Sequence, residues 1–500
     1  MKQTKKISCL LLLSLLASVG CQSAADSDTQ TTDGQTETSA VETETAELTI
    51  ESVLPDSLDF GGETIRFAVE LGNQNFNTMS TSIYVEEDTG DIIDSAIYNR
   101  NIKIEEYLNL EIEIAQEYGP TTLYSNVTNS VLAGSDDFDV VAAYNAYTAS
   151  LAASGALKCL DDFRYLDTDA PYWPTELINM MAYKGTYWVM GDLNLTYTGG
   201  LGAMYVNASI WDELYHGTSI YDVVRDGKWT LDYMTKTIED AYIDLNGNTQ
   251  VDADDRFGFI YTYIETFATG CGLKYSERDK NGVPQLTFMS EHSVDVWNKL
   301  YTCIFNGTGC YGMKDDEDKF AFKNGKSLYL MNSSIAFVIN DLRDMTDDFF
   351  IIPLPKYDEE QDVYYSKIAD NMTIYGVPVT SQKDDAVGAL LEAMEIESVR
   401  TVVPAYYDMA LKNKYTRDAD SAEMLDLIRS NIVNDFVCLY SETIGGGVGV
   451  TGKGIARILR TAATQKTTDL ASLYEKNAAV YQSCLDDLLE RFDVLAEERK

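Results

Sequence analysis

Apolar and polar residues alternate with two different periods in the first part of the chain. The segments Thr64–Glu70 and Leu110–Ile114 alternate residue by residue, which predicts strands with one buried face. Between them, apolar residues recur at helical spacing over Asp91–Leu108. A second helix is predicted over Thr121–Leu132, and the apolar run Asp137–Ala143 suits a buried parallel strand. The order strand, helix, strand, helix, strand predicts a doubly wound α/β lobe.

The rest of the chain predicts further strands and then a helical C-terminal part. The predicted strands are Gly202–Asn207, Ser334–Ile339, Phe349–Leu354 and Ile374–Pro378. The predicted helices are Asp384–Leu411 with a break before Pro404, Ser421–Leu439 and Leu470–Glu498. Roughly 450 residues are too many for one ordinary core, so this length favours two lobes or two domains.

The strand ends predict where a ligand binds. Ligands of open α/β sheets lie beyond the carboxyl ends of the strands, often against aromatic side chains and a few polar groups. The chain has 33 tyrosines and five tryptophans, which suits stacking on sugar rings, although core packing explains most single aromatics. The candidates near the predicted crevice are Asn75, Tyr144, Asn145, Tyr172, Trp173 and Asp192.

The N-terminal segment predicts export. Three lysines within Met1–Lys6 precede an apolar run over Leu10–Val19, which is too short to span a membrane because spanning takes about 20 residues. Residues 1–20 therefore read as a signal peptide, and Gly20–Cys21 resembles the bacterial lipoprotein pattern, in which Cys21 becomes lipidated. A polar segment over 21–58 is predicted to be a disordered tether, anchored at the cell surface. The alternative is a plain secreted protein.

The net charge and the small number of histidines limit the classes of function that the sequence allows. With 80 acidic and 38 basic residues, the formal net charge is −42, which disfavours nucleic acid as a partner. Only two histidines are present, His216 and His292, so a histidine-rich zinc site or a Ser-His-Asp triad would have to draw on one of them, whereas catalysis by two carboxylates stays open.

The cysteines show no metal-binding spacing. Six follow the N-terminal region, at 159, 271, 303, 310, 438 and 484. Cys303 and Cys310 are near enough in sequence for one loop bridge, and Cys271 could compete for either.

The segment Asp244–Asp255 resembles a calcium-binding loop. Short oxygen-bearing side chains recur at alternate positions, as a hard cation requires, with Thr249 where EF-hand loops have glycine. The predicted ligands of one structural Ca²⁺ are Asp244, Asn246, Asn248, Gln250, Asp252 and Asp255. The alternative is a polar surface loop whose side chains cap backbone groups.

The glycine-rich segment Gly445–Gly454 contains GxGxxG and nearly a Walker loop. Gly454 replaces the Ser or Thr that binds Mg²⁺, and no strand is predicted before the segment. We therefore predict a flexible or tightly turned loop before a helix, without phosphate binding.

The order of several short segments resembles the extracellular solute-binding proteins of bacterial ABC importers, of the maltose-binding-like type. These segments are Leu160–Asp167, Pro171–Trp173, Gly191–Asp192, Val224–Leu231, the loop from Asp244, Ile352–Asp358 and Pro404–Lys412. The resemblance implies a two-lobed α/β periplasmic-binding-protein type II fold, in which each lobe is a sheet flanked by helices and crossover hinge strands join the lobes. It places 59–201 and 369–400 in the first lobe, and 202–368 and 401–500 in the second.

The resemblance also implies a function. A monomeric, membrane-tethered protein would capture a neutral solute, an oligosaccharide, between its lobes and deliver it to ABC permease subunits, without catalysis. By that analogy the cleft also takes in Asn340, Arg343 and Asn371. Two alternatives are a surface glycoside hydrolase with paired carboxylates and a surface adhesin that uses the calcium-like loop.

Overall fold

A computed structural model of the chain describes most of the sequence after the N-terminal segment. The described residues are 52–70, 83–261, 264–312, 317–332, 334–335, 341–342, 345–369, 372–410, 419–449 and 451–500. The predicted signal peptide, Cys21 and the predicted tether up to residue 51 lie outside them, as do four predicted ligand residues, Asn75, Asn340, Arg343 and Asn371. Among the described residues, we find no helix with the length and apolar character to cross a membrane.

In the described parts of the chain, eleven strands form two main sheets and a hairpin. They are β1 Glu63–Glu70, β2 Leu110–Tyr118, β3 Val140–Tyr144, β4 Ala203–Asn207, β5 Phe257–Tyr261, β6 Ser276–Arg278, β7 Pro284–Leu286, β8 Cys310–Gly312, β9 Ser327–Asn332, β10 Phe349–Ile352 and β11 Thr373–Gly376.

The helices of the first two thirds of the chain connect these strands. They are α1 Ile92–Leu108, α2 Pro120–Ala133, α3 Asn145–Ala153, α4 Thr175–Met181, α5 Thr196–Gly199, α6 Ala208–Tyr215, α7 Ile220–Arg225, α8 Leu231–Ala241, α9 Ile264–Gly270, α10 Glu291–Tyr301 and α11 Glu317–Lys323. A π-helix, Thr302–Asn306, continues α10.

The C-terminal part is helical, as predicted. Its helices are α12 Asp384–Glu397, α13 Val403–Ala410, α14 Ala419–Ser430, α15 Phe436–Leu439, α16 Ser441–Ile444, α17 Arg457–Gln465, α18 Leu470–Glu475 and α19 Ala478–Glu498.

The first sheet has the order β11-β3-β1-β2. Strand β1 pairs in parallel with β2 and β3, and β11 runs antiparallel to β3. The predicted order of three strands and two helices is confirmed, because β3 is apolar and buried while the connecting helices α1 and α2 each bury one face. The carboxyl ends of β1 and β3 meet at Glu70 and Tyr144.

The second sheet has the order β10-β4-β9-β5-β8 and contains parallel and antiparallel pairs. The chain passes from one sheet to the other twice, and the two crossing segments lie side by side. An antiparallel bridge joins Leu201 to Ile368, and the Gly202 N–H donates to the Lys367 carbonyl at 2.9 Å. Two adjacent crossing segments are the simplest connection about which two lobes can rotate.

The C-terminal helices contact both lobes. Helix α17 packs on α9 beside the second sheet, whereas α15, α16 and α19 pack on α3 beside the first. In α19, the Phe492 ring lies 5.4 Å from that of Tyr187, and Arg491 donates to the Ser154 carbonyl at 2.6 Å. The last helix of segment 401–500, which was predicted to belong to the second lobe, thus packs against helix α3 beside the first sheet.

Local structure departs from the predictions at several boundaries. The strand predicted over Ser334–Ile339 is wrong where it is described, because β9 has already ended at Asn332 and Ile335 is helical. The break before Pro404 is a π-helical turn, Ser398–Val402, which accommodates the missing N–H of proline. The long predicted helices over 421–439 and 470–498 are each divided in two, at 431–435 and 476–477.

Candidate functional site

A narrow cleft, with about 40 Å³ open to water-sized molecules, lies at the carboxyl end of β3. One wall is the β3–α3 junction, and the other is formed by the ends of α15, α16 and α17, about 300 residues later in the chain. Its polar lining residues are Tyr144, Asn145, Asn434, Ser441, Glu442 and Arg457.

The first wall is held by backbone hydrogen bonds. The Asn145 N–H donates to the Met372 carbonyl at 2.9 Å, which fixes the start of α3 against the segment that leads into β11. The Tyr144 N–H donates to Oε2 of Glu70 at 2.6 Å. Burial raises the pKa of Glu70 to about 7, and this hydrogen bond opposes only part of the increase. A carboxyl group that titrates near neutral pH therefore supports the wall of the cleft.

Tyrosine rings form the aromatic part of this wall. The half-buried Tyr144 ring meets the buried Tyr147 ring edge-on, with centroids 6.2 Å apart, and Tyr147 packs in turn on Tyr124 at 6.4 Å. Such a cluster fixes the orientation of Tyr144, so that its ring adds apolar surface to the cleft.

Glu442 organises the opposite wall. Its Oε2 accepts hydrogen bonds from the Thr451 N–H at 3.0 Å, the Thr451 hydroxyl at 2.7 Å and the Lys453 N–H at 3.2 Å. Its Oε1 accepts from Arg457 Nε at 3.2 Å. Burial alone would raise the pKa of Glu442, but the hydrogen bonds from Thr451 and the Arg457 charge lower it below the usual range.

These bonds explain the glycine-rich loop. The segment is a tight loop between α16 and α17, as predicted, and the Glu442 carboxylate occupies backbone N–H groups that a phosphate would need in a Walker loop. Gly449 has a φ of +62°, and an added Cβ would lie 2.1 Å from a Tyr147 ring carbon. The loop therefore packs directly on the aromatic side of the cleft.

A half-buried aspartate, Asp435, fixes the base of the second wall. Asp435 accepts hydrogen bonds from the Tyr275 N–H at 2.9 Å, the Ser276 hydroxyl at 2.8 Å and the Cys438 N–H at 2.9 Å. Burial raises the pKa of Asp435 against these bonds. The neighbouring Asn434 thereby keeps its place beside the cleft.

Comparison with solved structures identifies the fold. An ABC transporter solute-binding protein from Thermotoga lettingae, bound with alpha-D-tagatose, matches with a TM-score of 0.52 at 10% identity, over 86% of this chain and 100% of that one. A cyclo/maltodextrin-binding protein complexed with maltotetraose matches with a TM-score of 0.52 at 10% identity, over 86% and 97%. CpMnBP1 with mannotriose bound matches with a TM-score of 0.50 at 14% identity, over 85% of this chain and 100% of that one. The chain has the type II periplasmic-binding-protein fold. No protein-family model and no curated protein matches it.

Of the residues predicted to bind a ligand in this binding-protein fold, the structure brings Tyr144 and Asn145 to the cleft. Tyr172 and Trp173 lie elsewhere and are buried. The Tyr172 hydroxyl donates to Oε1 of Glu392 in α12, and Trp173 Nε1 donates to Oε2 at 2.9 Å. Both aromatic side chains therefore donate hydrogen bonds to a buried carboxylate in the first lobe.

Asp192 also has structural partners. It is fully buried, and it accepts hydrogen bonds from the N–H and the hydroxyl of Thr198, both at 2.7 Å. Arg429 in α14 lies 3.4 Å from its Oδ2, and the Asp192 N–H donates to Glu395 at 2.7 Å. Burial raises the pKa values of both carboxyl groups. This network joins the loop before the crossing segment to a C-terminal helix.

Sequence reasoning missed Asn434, Ser441, Glu442 and Arg457. None follows a predicted strand, and their only sequence signal was the glycine-rich segment between Glu442 and Arg457. That segment indicated a tight turn but gave no sign of which residues it would bring to β3.

The calcium-like loop is closed by its own hydrogen bonds. Asp244 accepts from the N–H groups of Gly247 and Thr249, at 2.7 and 2.8 Å, and Asn248 Nδ2 donates to Asp252 at 2.6 Å. Thr249 has a φ of 61°, the conformation that EF-hand loops assign to glycine. Asp255 is fully buried and accepts from the Tyr242 hydroxyl at 3.0 Å.

The loop fits an oxygen-binding cation in its donor chemistry. Its carboxylates and amide oxygens are the ligands that Ca²⁺ prefers. Within the described ranges, no three or more His, Cys, Asp or Glu residues are grouped in a way that could hold a metal ion. Calcium therefore stays a prediction, and the internal hydrogen bonds are those expected of the surface-loop alternative.

Proposed function

We propose that the protein is a solute-binding protein that captures a neutral solute, an oligosaccharide, in the cleft beside Tyr144. The observation that carries the proposal is the position of this cleft. It lies at the carboxyl ends of β1 and β3, where open α/β sheets bind ligands, and its second wall comes from helices that contact both lobes.

The lining suits a sugar ring. Tyr144 offers an apolar ring face for C–H groups, while Asn145, Asn434 and Ser441 offer donors and acceptors for hydroxyl groups. Glu442 and Arg457 form an ion pair, so their charges offset each other and favour a neutral ligand over an ion. The structures that share this fold and hold tagatose, maltotetraose or mannotriose support the same ligand class.

Capture is proposed to draw the lobes together. The paired segments at Leu201 and Ile368 are the hinge, because the chain crosses between the sheets there. A solute that contacts both walls binds the closed arrangement better than the open one, and this difference in affinity drives closure.

The proposal extends to delivery and location. The bound solute passes to ABC permease subunits, and the protein is held at the outer membrane face by a lipid on Cys21. These elements rest on the sequence pattern at Gly20–Cys21 and on the resemblance to importer components.

One observation favours the hydrolase alternative. The pKa of about 7 at Glu70 is typical of a general acid in a glycosidase. Against this role, Glu70 lies behind the Tyr144 backbone, and Glu442 is already held by four hydrogen bonds and an ionised partner. We therefore propose binding without turnover.

Titration calorimetry against maltose, maltotetraose, mannotriose and tagatose tests this proposal. Saturable binding without product is expected, and Tyr144→Ala weakens it, while Tyr98→Ala, a half-buried tyrosine change on α1, leaves it unchanged. Failure of the whole panel to bind, or steady product formation that Glu70→Gln abolishes, would contradict it.

A further inference from the structure

Two cysteines meet where α10 turns back toward the second sheet. The helix widens into the π-helix Thr302–Asn306, which contains Cys303, and after a short turn the chain enters β8 at Cys310. Cys310 is in register with Phe259 of the parallel strand β5. The two cysteines are therefore fixed by a helix on one side and a sheet on the other.

The turn brings Cys310 back against Cys303. The Cys310 thiol donates to the Cys303 carbonyl at 3.3 Å, so its sulfur lies against the backbone of its partner. The neighbouring Cys310 side chain lowers the pKa of Cys303, against the effect of burial. Gly309 has a φ of +98°, and an added Cβ would lie 2.9 Å from the Ile238 carbonyl, so the turn packs tightly on α8.

Cys271, the third cysteine considered for a bridge to Cys303 or Cys310, makes a different contact. Cys271 is fully buried, and its thiol donates to the Pro355 carbonyl at 3.7 Å. Cys159 lies against Arg499, on the first lobe. All six cysteines of the described region have free thiols in this structure.

We propose that Cys303 and Cys310 are a disulfide-forming pair that closes the 303–310 turn when the protein meets a disulfide donor. The donor class is a small-molecule disulfide, such as oxidised glutathione, or a thiol–disulfide oxidoreductase. The inference depends only on the second lobe and is independent of what the cleft binds.

The exchange has two steps. Cys310, the more exposed of the two, loses its proton as it attacks a donor sulfur, forms a mixed disulfide and releases the first donor thiol; its neighbour Cys303 and burial raise the pKa of Cys310, so this step is the slow one at neutral pH. Cys303, whose thiol has the lowered pKa, then attacks the Cys310 sulfur and releases the second donor thiol. The protein loses two protons and two electrons, and the donor disulfide is reduced to two thiols.

The bond would fix the segment between α10 and β8. A cross-link across this turn restricts the unfolded chain, and the Cys310 sulfur already lies against the backbone of Cys303. The oxidised protein is therefore expected to melt at a higher temperature than the reduced protein.

The test uses the full chain, folded, with oxidised glutathione. Two thiols are expected to disappear, with a mass lower by two hydrogens, and peptide mapping should link Cys303 to Cys310. Cys303→Ser should stop at the glutathione mixed disulfide on Cys310, and Cys271→Ser should oxidise like the parent chain.

Melting of the oxidised and reduced forms provides a second measurement that requires no variant. A linkage of either cysteine to Cys271, or a full thiol count after oxidation in the folded state, would overturn the proposal. Sugar binding that fails while the bond forms would count against the proposed function alone.

Discussion

Replacing Glu442 is expected to damage both stability and binding. The carboxylate is 9% exposed, and it accepts four hydrogen bonds from Thr451, Lys453 and Arg457. Glu442→Ala leaves all four donors without this acceptor, and Glu442→Gln keeps the shape but removes the charge.

The magnitude follows from the exposure of the donors. Bonds to a charged acceptor contribute about 1.5–3 kcal/mol each when the donors are buried. Thr451 and Lys453 are exposed, so water replaces much of what they lose, and Arg457 is 29% exposed. We therefore expect a loss of about 3 kcal/mol in the free energy of unfolding for Glu442→Ala and about 1 kcal/mol for Glu442→Gln.

Urea unfolding at neutral pH measures both losses, with Glu475→Ala on the exposed face of α18 as the matched control. The control should change the free energy of unfolding by less than about 0.5 kcal/mol. Because the native pKa of Glu442 is lowered, its stabilisation is present above the unfolded value near 4.5 and is lost as the pH falls through the lower native value. The gap between parent and Glu442→Gln should therefore close in acid.

The reasoning would be refuted by a Glu442→Ala protein that unfolds at the parent urea concentration. It would also be refuted by a stability gap that does not depend on pH. Sugar affinity should fall about tenfold in Glu442→Ala, since the loop and Arg457 lose their position; a tenfold change corresponds to about 1.4 kcal/mol.

Four further changes have defined outcomes. Tyr144→Ala should weaken sugar binding about three- to tenfold in calorimetry, because it removes one aromatic contact of about 0.5–1.5 kcal/mol. Glu70→Gln should raise stability above pH 7 by up to about 3 kcal/mol, because ionising a carboxyl of raised pKa destabilises the parent as the pH rises from about 4.5 to 7. Glu392→Ala should destabilise the fold by about 3–5 kcal/mol in urea, because it removes a buried carboxylate and leaves its three donors, from Asp167, Tyr172 and Trp173, without their acceptor, with no loss of affinity in the folded protein. Added calcium should raise the melting temperature of the parent protein but not that of Asp252→Ala. If calcium changes both melting temperatures equally, the segment Asp244–Asp255 is a polar surface loop and not a calcium site.

The sequence predicts the first sheet well for a physical reason. The period of two in β1 and β2 and the apolar run in β3 are local signals, and they need no knowledge of the partner strand. The crossing at Leu201 and Ile368 is different, because it pairs residues from distant parts of the chain. Only the resemblance to solute-binding proteins indicated where those segments lie.

The candidate site was only half predictable. Tyr144 and Asn145 follow directly from the rule that ligands bind beyond strand ends. The partners of Tyr172 and Asp192 do not, because Glu392 and Arg429 are more than 200 residues away in sequence. An aromatic or acidic residue in a loop looks the same whether it faces a ligand or a buried partner.

The central claim is that the cleft beside Tyr144 binds a neutral sugar without turning it over. Calorimetric titration of the protein with maltotetraose, mannotriose and tagatose, followed by product analysis of the same samples, tests it most directly. The account predicts saturable binding of at least one sugar, unchanged ligand after incubation, and weaker binding in Tyr144→Ala. Absence of binding to all three, or the appearance of hydrolysis products, would contradict it.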